Sequence, residues 1–153
     1  MIPVFVMVGA IVLARVLGSH GILPTATWAS STRVGLAIMF LFTASAHFTT
    51  MRAELIRMVP PTFPKPPLLV TLTGIAELAG AVGLLVPHLA RWAAGGLILL
   101  LIAMVPANVH AARSGLAIRG RAATPLVLRL PLQVMWLALL WWSAGAASPS
   151  RPW

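Results

Sequence analysis

The chain has 153 residues, of which 59% are hydrophobic and only 8% are charged. A water-soluble domain of this size cannot bury so much apolar surface, so the composition excludes a soluble fold and predicts an integral membrane protein. The formal net charge is +9, but the arginines stand at the ends of apolar runs, which favours lipid headgroups over nucleic acid as their contacts. The sequence contains no cysteine, which excludes disulfides and thiolate chemistry.

In chain order, five apolar runs are each long enough to cross a bilayer as a helix. They are residues 2–18, 34–50, 68–86, 92–111 and 125–144. The runs lack the period-two alternation of transmembrane strands and are about twice the length of such a strand, so a barrel is excluded. Lipid offers no partner to a backbone amide, so the runs are predicted to be helices. A cleaved signal peptide is the alternative for the first run. No positive residue precedes that run and no clear cleavage site follows it, which favours a retained helix.

The connections between the runs differ in composition. Residues 19–32 are small and polar, whereas residues 51–67 begin as an amphipathic stretch and end in prolines. The second connection is therefore predicted to lie along the membrane interface. Residues 115–124 are predicted to form a basic turn, and residues 147–153 a short mobile tail.

Orientation follows from the positive residues, because cytoplasmic loops retain Lys and Arg. With five crossings, one end of the bundle has Arg52, Arg57, Lys65, Arg113, Arg119 and Arg121, and the other has Arg15, Arg33, Arg91 and Arg151. This bias predicts a cytoplasmic N-terminus. Five aromatic residues are predicted to form a belt at the outer face: Trp28, Trp92, Trp141, Trp142 and Trp153.

A few polar side chains fall within or beside the apolar runs, where insertion of an ionisable group costs about 2.5–3.5 kcal/mol. Six of them are candidates for a cofactor-binding site near the inner interface: His47, Glu77, Asn108, His110, Arg129 and Gln133. Glu77 lies deepest, about 15 Å into the membrane at the rise of an α-helix. An ion pair between Glu77 and Arg129 is predicted, because it neutralises both charges.

Each of these candidates has a structural alternative. Glu77 stands among glycines and alanines at four-residue spacing, which allow helix backbones to approach closely, so it is either a site residue or a residue of a helix seam. The spacing of Thr43, His47, Thr50 and Glu54 puts a polar stripe on one helical face. His47 is then a ligand, a proton relay or a satisfied interfacial residue.

The remaining candidates leave further alternatives open. Asn108 and His110 are two residues apart and point in nearly opposite directions in an ideal helix, although Pro106 is expected to kink the helix before them. Two histidines are also compatible with haem ligation. Arg129 and Gln133 share a face with Trp136 that meets either a flat lipophile such as quinone or the bundle interior. Metal clusters and nucleophile motifs are absent from the sequence.

Residues 34–113 resemble the DoxX family of small bacterial membrane proteins. The resemblance rests on AHF at 46–48, MVPPTFPKPP at 58–67, TGIAELAGAVGLLVP at 73–87 and PANVHAA at 106–112. It implies a DoxX-like four-helix transmembrane core over residues 33–146. Residues 1–32 are then an additional N-terminal transmembrane helix with its polar linker.

The name of that family is tied to a thiosulfate:quinone oxidoreductase. The resemblance therefore implies an inner-membrane subunit of a redox complex that binds quinone or another lipophile near the cytoplasmic interface and acts with partner subunits and membrane lipids. At the positions that match the family motifs, His47, Glu77, Asn108 and His110 offer useful side-chain chemistry. The alternative is a structural, non-catalytic accessory subunit of a larger membrane complex. A small transporter is a third class, but the paired half-helices of repeat-built carriers are absent from the sequence.

Overall fold

The computed structural model describes residues 2–115, 117–118, 121–122 and 125–145. Its elements are α1 (Ile2–Ser19), α2 (Trp28–Ser45), α3 (Arg52–Met58), α4 (Pro66–Leu85), α5 (Ala90–Ala103), α6 (Val105–Arg113), β1 (Ala117–Ile118), β2 (Arg121–Ala122) and α7 (Leu126–Gly145). The two-residue strands pair antiparallel in the basic turn before α7. The predicted all-helical bundle is confirmed, and the predicted tail at residues 147–153 lies outside the described residues.

Four helices of the described chain are long and apolar enough to cross a membrane: α1, α4, α7 and the nearly continuous α5–α6 segment. The protein is therefore a membrane protein. The remaining long helix, α2, packs against α1, α4 and α7 and buries most of its residues. Because neighbouring helices shield α2 from lipid, it tolerates polar residues that a lipid-facing helix does not.

The start of α2 differs from the sequence prediction. The apolar run was expected to begin at residue 34, after a polar linker, but the helix begins at Trp28. Its first turn is stabilised by a capping box in which the Thr27 hydroxyl accepts from the Ser30 amide at 3.1 Å and the Ser30 hydroxyl accepts from the Thr27 amide at 3.2 Å. Arg33, predicted in the outer linker, is instead buried in α2.

Small residues set the distance between α4 and its neighbours, as predicted. A Cβ atom added to Gly83 would lie 2.7 Å from the Ala93 Cβ, and one added to Gly80 would lie 2.5 Å from two side-chain atoms of Leu97. The Ala93 Cβ cannot move without its backbone, so Gly83 cannot be replaced without a shift of the helices; at Gly80 an added Cβ would displace the Leu97 side chain. The seam between α4 and α5 thus depends on residues that allow close backbone approach.

The fourth apolar run is interrupted where the sequence predicts a kink. The helix α5 ends at Ala103, and α6 begins at Val105 with Pro106 in its first turn. Proline has no amide hydrogen to donate, so the last carbonyls of α5 need other partners. This break turns the backbone at the level where the polar residues of α6 and α7 meet.

The two ends of the bundle differ. Because consecutive long helices run in opposite directions, the start of α2, the start of α5 and the end of α7 meet at one end. Four exposed tryptophans mark it, and we call it the tryptophan end: Trp28, Trp92, Trp141 and Trp142. Arg15 stacks on Trp28 there, with its guanidinium carbon 5.4 Å from the ring centroid. Trp153 lies outside the described residues.

Candidate functional site

A cleft of about 230 Å³ opens at the end opposite the tryptophan end. The end of α2, the start of α4 and the α5–α6 junction form its walls, and α3 with the following proline-rich segment covers it. Most lining residues are apolar, among them Leu55, Met58, Phe63, Leu69 and Met104. Three lining side chains are polar: His47, Thr73 and Asn108.

His47 stands on one side of the cleft and is held against α4 by both ring nitrogens. Its Nδ1 lies 2.7 Å from the Val70 carbonyl oxygen, and its Nε2 lies 3.7 Å from Glu77 Oε1. Because a carbonyl only accepts, Nδ1 carries the hydrogen and donates it to Val70. Gly74 permits this approach, since a Cβ at that position would lie 2.6 Å from the His47 Cβ.

Glu77 is buried behind His47 and has a second partner on α2. The Thr43 hydroxyl donates to Glu77 Oε2 at 2.9 Å, so both carboxylate oxygens face polar groups. We refer to Thr43, His47, Thr73 and Glu77 as the histidine network. The predicted stripe over Thr43, His47, Thr50 and Glu54 does not lie on one helix, because α2 ends at Ser45 and the other three residues follow it, with Glu54 in α3.

Asn108 stands on the other side of the cleft and belongs to a chain of hydrogen bonds from α7 to α5. Arg129 Nη1 donates to Asn108 Oδ1 at 2.9 Å, and Asn108 Nδ2 approaches Gln133 Oε1 at 3.4 Å. Gln133 Nε2 then donates to the Leu101 carbonyl at 2.6 Å. We refer to Arg129, Asn108 and Gln133 as the amide network. It satisfies one of the carbonyls left without a helical partner at the end of α5.

The structure therefore separates two residues that the sequence predicted as an ion pair. Glu77 is bonded to Thr43 and lies beside His47, whereas Arg129 is bonded to Asn108. The prediction of a Glu77–Arg129 pair is wrong. The position of each residue along its helix puts both charges near the same end of the bundle. The rotation of each helix about its axis, however, turns Glu77 toward α2 and Arg129 toward α6, where each meets a closer partner.

The six predicted site residues fall into three groups. His47 and Asn108 line the cleft. Glu77, Arg129 and Gln133 support them from behind through the contacts given above. His110 belongs to neither network. Its Nδ1 lies 3.3 Å from the hydroxyl of the exposed Ser114. Its two-residue separation from Asn108 predicted that the two side chains point in different directions.

Sequence reasoning missed Arg52, which fastens the cover of the cleft. Its guanidinium donates to the His47 carbonyl at 3.1 Å, the Pro67 carbonyl at 3.0 Å and the Thr71 hydroxyl at 2.8 Å. These bonds connect the start of α3 to the turn that follows α2 and to the start of α4. From the sequence, Arg52 was treated only as a positive residue of a connection, although its position in the amphipathic stretch that begins at residue 51 indicated a helix there.

The site's chemistry is that of a binding cleft with two polar edges. Within the described ranges, no group of three or more His, Asp or Glu side chains is arranged to hold a metal ion. The histidine network offers a buried carboxylate and imidazole, and the amide network offers an amide nitrogen backed by a guanidinium. Such an apolar cavity with a few fixed polar groups is the usual form of a small-molecule site.

These features define a small helical membrane protein with a cleft at one end of its bundle. The chain belongs to the family described as "Domain of unknown function (DUF8561)", whose model matches residues 36–144. The matched region contains the cleft and both networks and leaves α1 outside. No curated protein and no solved structure matches the chain.

Proposed function

We propose that this chain binds quinone or a lipophile of similar shape in the cleft, as an inner-membrane subunit associated with a bacterial redox complex. The observation that carries the proposal is the cleft itself, an apolar cavity of about 230 Å³ with His47, Thr73 and Asn108 at its edges. Flat lipophiles with polar ends fit such a cavity, because their ring contacts the apolar walls and their polar atoms meet the few polar groups.

The rim of the cleft supports entry from the bilayer. Phe63 lines the cleft and is 42% exposed, and the neighbouring Leu68 is 49% exposed on the same end of α4. The cleft therefore opens beside exposed apolar side chains that are suited to contact lipid. A ligand dissolved in the membrane reaches this cavity without crossing water.

The resemblance to DoxX proteins supports an association with redox chemistry. Each of the four sequence segments that carry the resemblance contributes to the cleft lining: residues 46–48, 58–67, 73–87 and 106–112. Each motif thus places at least one residue at the same cavity, although residues 73–87 reach it only through Thr73. Catalysis of electron transfer is then assigned to partner subunits, because the chain has no cysteine.

Binding of a radiolabelled short-tailed benzoquinone to the purified protein in mild detergent tests the proposal. We expect saturable binding that Ala107→Phe abolishes, because Ala107 lines the cleft. Ala79→Phe is the matched control on the exposed surface of α4 and is expected to bind like the parent protein. A folded protein without saturable binding, co-purifying with large membrane partners, would instead support the accessory-subunit alternative.

The proposed orientation places the N-terminus and the cleft end on the cytoplasmic side. It rests on the bias of Lys and Arg toward that end of the bundle. Because the chain has no cysteine, single cysteines at the exposed positions Thr62 and Ser19 report the two ends separately. In right-side-out vesicles, an impermeant maleimide is expected to label Ser19→Cys and not Thr62→Cys; the opposite pattern reverses the orientation.

A further inference from the structure

We infer that Asn108 makes the cleft selective for a lipophile whose polar end is a hydrogen-bond acceptor, so that the oxidised quinone binds more tightly than its hydroquinone. The inference rests on the proposed function and names the ligand form that the same site takes. It follows from the direction of the hydrogen bonds in the amide network, which is fixed at both ends.

At one end, Arg129 fixes the Asn108 amide. A guanidinium has donors only, so the atom 2.9 Å from Arg129 Nη1 must be the Asn108 oxygen. The Asn108 nitrogen then lies on the other side of the amide. The positive charge of Arg129 also draws electron density toward Oδ1, which strengthens Asn108 Nδ2 as a donor.

At the other end, the Leu101 carbonyl fixes Gln133. A carbonyl has no donor, so the atom 2.6 Å from Leu101 must be the Gln133 nitrogen. Gln133 therefore turns its oxygen toward Asn108, where it accepts one of the two Nδ2 hydrogens at 3.4 Å. In the part of the chain that the structure describes, the second hydrogen has no acceptor, and Asn108 lines the cleft.

The other polar groups of the cleft are turned toward α4. His47 Nδ1 donates to the Val70 carbonyl, and its Nε2 faces Glu77. The Thr73 hydroxyl lies 3.0 Å from the Leu69 carbonyl and 3.1 Å from the Val70 carbonyl, to which it donates. Among the described polar side chains of the cleft lining, the Asn108 amide nitrogen is therefore the donor with a hydrogen left for a ligand.

A quinone carbonyl matches this donor, because it accepts a hydrogen bond and brings no hydrogen of its own. A hydroquinone hydroxyl can also accept from Asn108 Nδ2, but it brings a hydrogen that needs an acceptor of its own, so it completes its hydrogen bonds only with a second partner. Sites that hydrogen-bond one form of a ligand discriminate against the form that cannot complete the bond. We expect the oxidised form to bind about tenfold more tightly.

The test compares the dissociation constants of a short-tailed benzoquinone and the hydroquinone with the same tail, the latter under anaerobic reducing conditions. Asn108→Asp keeps an acceptor for Arg129 but replaces the donor by a second acceptor, so the preference is expected to invert toward the hydroquinone. Thr50→Val is the control, because Thr50 is exposed and does not line the cleft. It is expected to keep the parent preference.

The outcomes separate this inference from the proposed function. Equal affinity of the unmodified protein for the two forms overturns the inference and leaves quinone binding intact. Saturable binding of neither form overturns the proposed function itself. If Asn108→Asp fails to fold, the ratio measured on the unmodified protein still decides the inference. A parent preference for the oxidised form that Asn108→Asp leaves unchanged also overturns the role of Asn108.

Discussion

The histidine network and the amide network face each other across the cleft but are built differently. The histidine network depends on close approach between α2 and α4, which Gly74 permits. The amide network depends on side chains that reach between helices, from Arg129 through Asn108 and Gln133 to a carbonyl of α5. The first is therefore sensitive to small changes in backbone distance, and the second to loss of a single hydrogen-bonding group.

The difference also concerns charge. The histidine network contains a carboxylate and the amide network a guanidinium, and each is stabilised within its own network by polar partners. A buried carboxylate and a half-buried guanidinium thus occur near one cleft without forming a pair. This arrangement leaves the cavity between them largely apolar.

The largest expected effect comes from breaking the close approach in the histidine network. Gly74→Ala introduces a Cβ that would lie 2.6 Å from the His47 Cβ, so either α4 or the end of α2 must shift. Such overpacking costs about 1–3 kcal/mol in the free energy of unfolding. Equilibrium unfolding in mixed micelles measures this loss.

Gly95→Ala is the matched control for that substitution. No atom lies within 4 Å of the position where its Cβ would be, so the side chain is accommodated. Alanine in place of glycine within a helix stabilises by about 0.5–1 kcal/mol. Equal destabilisation by both substitutions would contradict the proposed tight contact at Gly74.

In the amide network, Gln133→Met is expected to cost about 1–2 kcal/mol in the free energy of unfolding. Methionine has a similar volume to glutamine, but it can neither donate to the Leu101 carbonyl nor replace the amide oxygen that accepts from Asn108. Val134→Met, at an exposed position on the same helix, is the control and is expected to change stability little. Retention of full stability by Gln133→Met would show that the network contributes nothing to folding.

The helical fold and the burial of several polar side chains could be predicted from the sequence. Apolar run length gave the long helices, Pro106 gave the break between α5 and α6, and polar residues in apolar runs identified Glu77 and Gln133 as buried side chains. These features depend on composition along one helix. The cost of exposing a polar group to lipid is large enough to make them visible in a single sequence.

The partners of these residues could not be predicted. Sequence gives the depth of a residue along its helix, but the rotation of each helix depends on packing with all its neighbours. This is why Glu77 was predicted to pair with Arg129 and is found with Thr43 and His47 instead. The start of α2 was also missed, because its serines and threonine lower the hydropathy. These polar side chains are nevertheless buried in the helix.

Glu77→Gln is expected to have a smaller effect. It removes the charge of the histidine network and keeps its hydrogen bonds, so it separates the two contributions to stability. The amide oxygen still accepts from Thr43, and the amide nitrogen can donate to His47 Nε2. We expect a change below about 1 kcal/mol in the free energy of unfolding. Glu77→Leu leaves both partners unsatisfied and is expected to cost about 1–3 kcal/mol in the free energy of unfolding. If Glu77→Gln lowered the free energy of unfolding as much as Glu77→Leu, the charge itself would be required.

The smallest effect is the coupling between the two networks. A double-mutant cycle of Glu77→Leu and Gln133→Met is expected to give an interaction energy below about 0.5 kcal/mol, because the two side chains share no partner. The same cycle of Glu77→Leu with Thr43→Val is the positive control and is expected to show a larger energy, since Thr43 bonds directly to Glu77. Strong coupling between Glu77 and Gln133 would require contact between the networks through the cleft. In that case the two networks would stabilise one another across the cavity, and a ligand could not bind to one of them without disturbing the other.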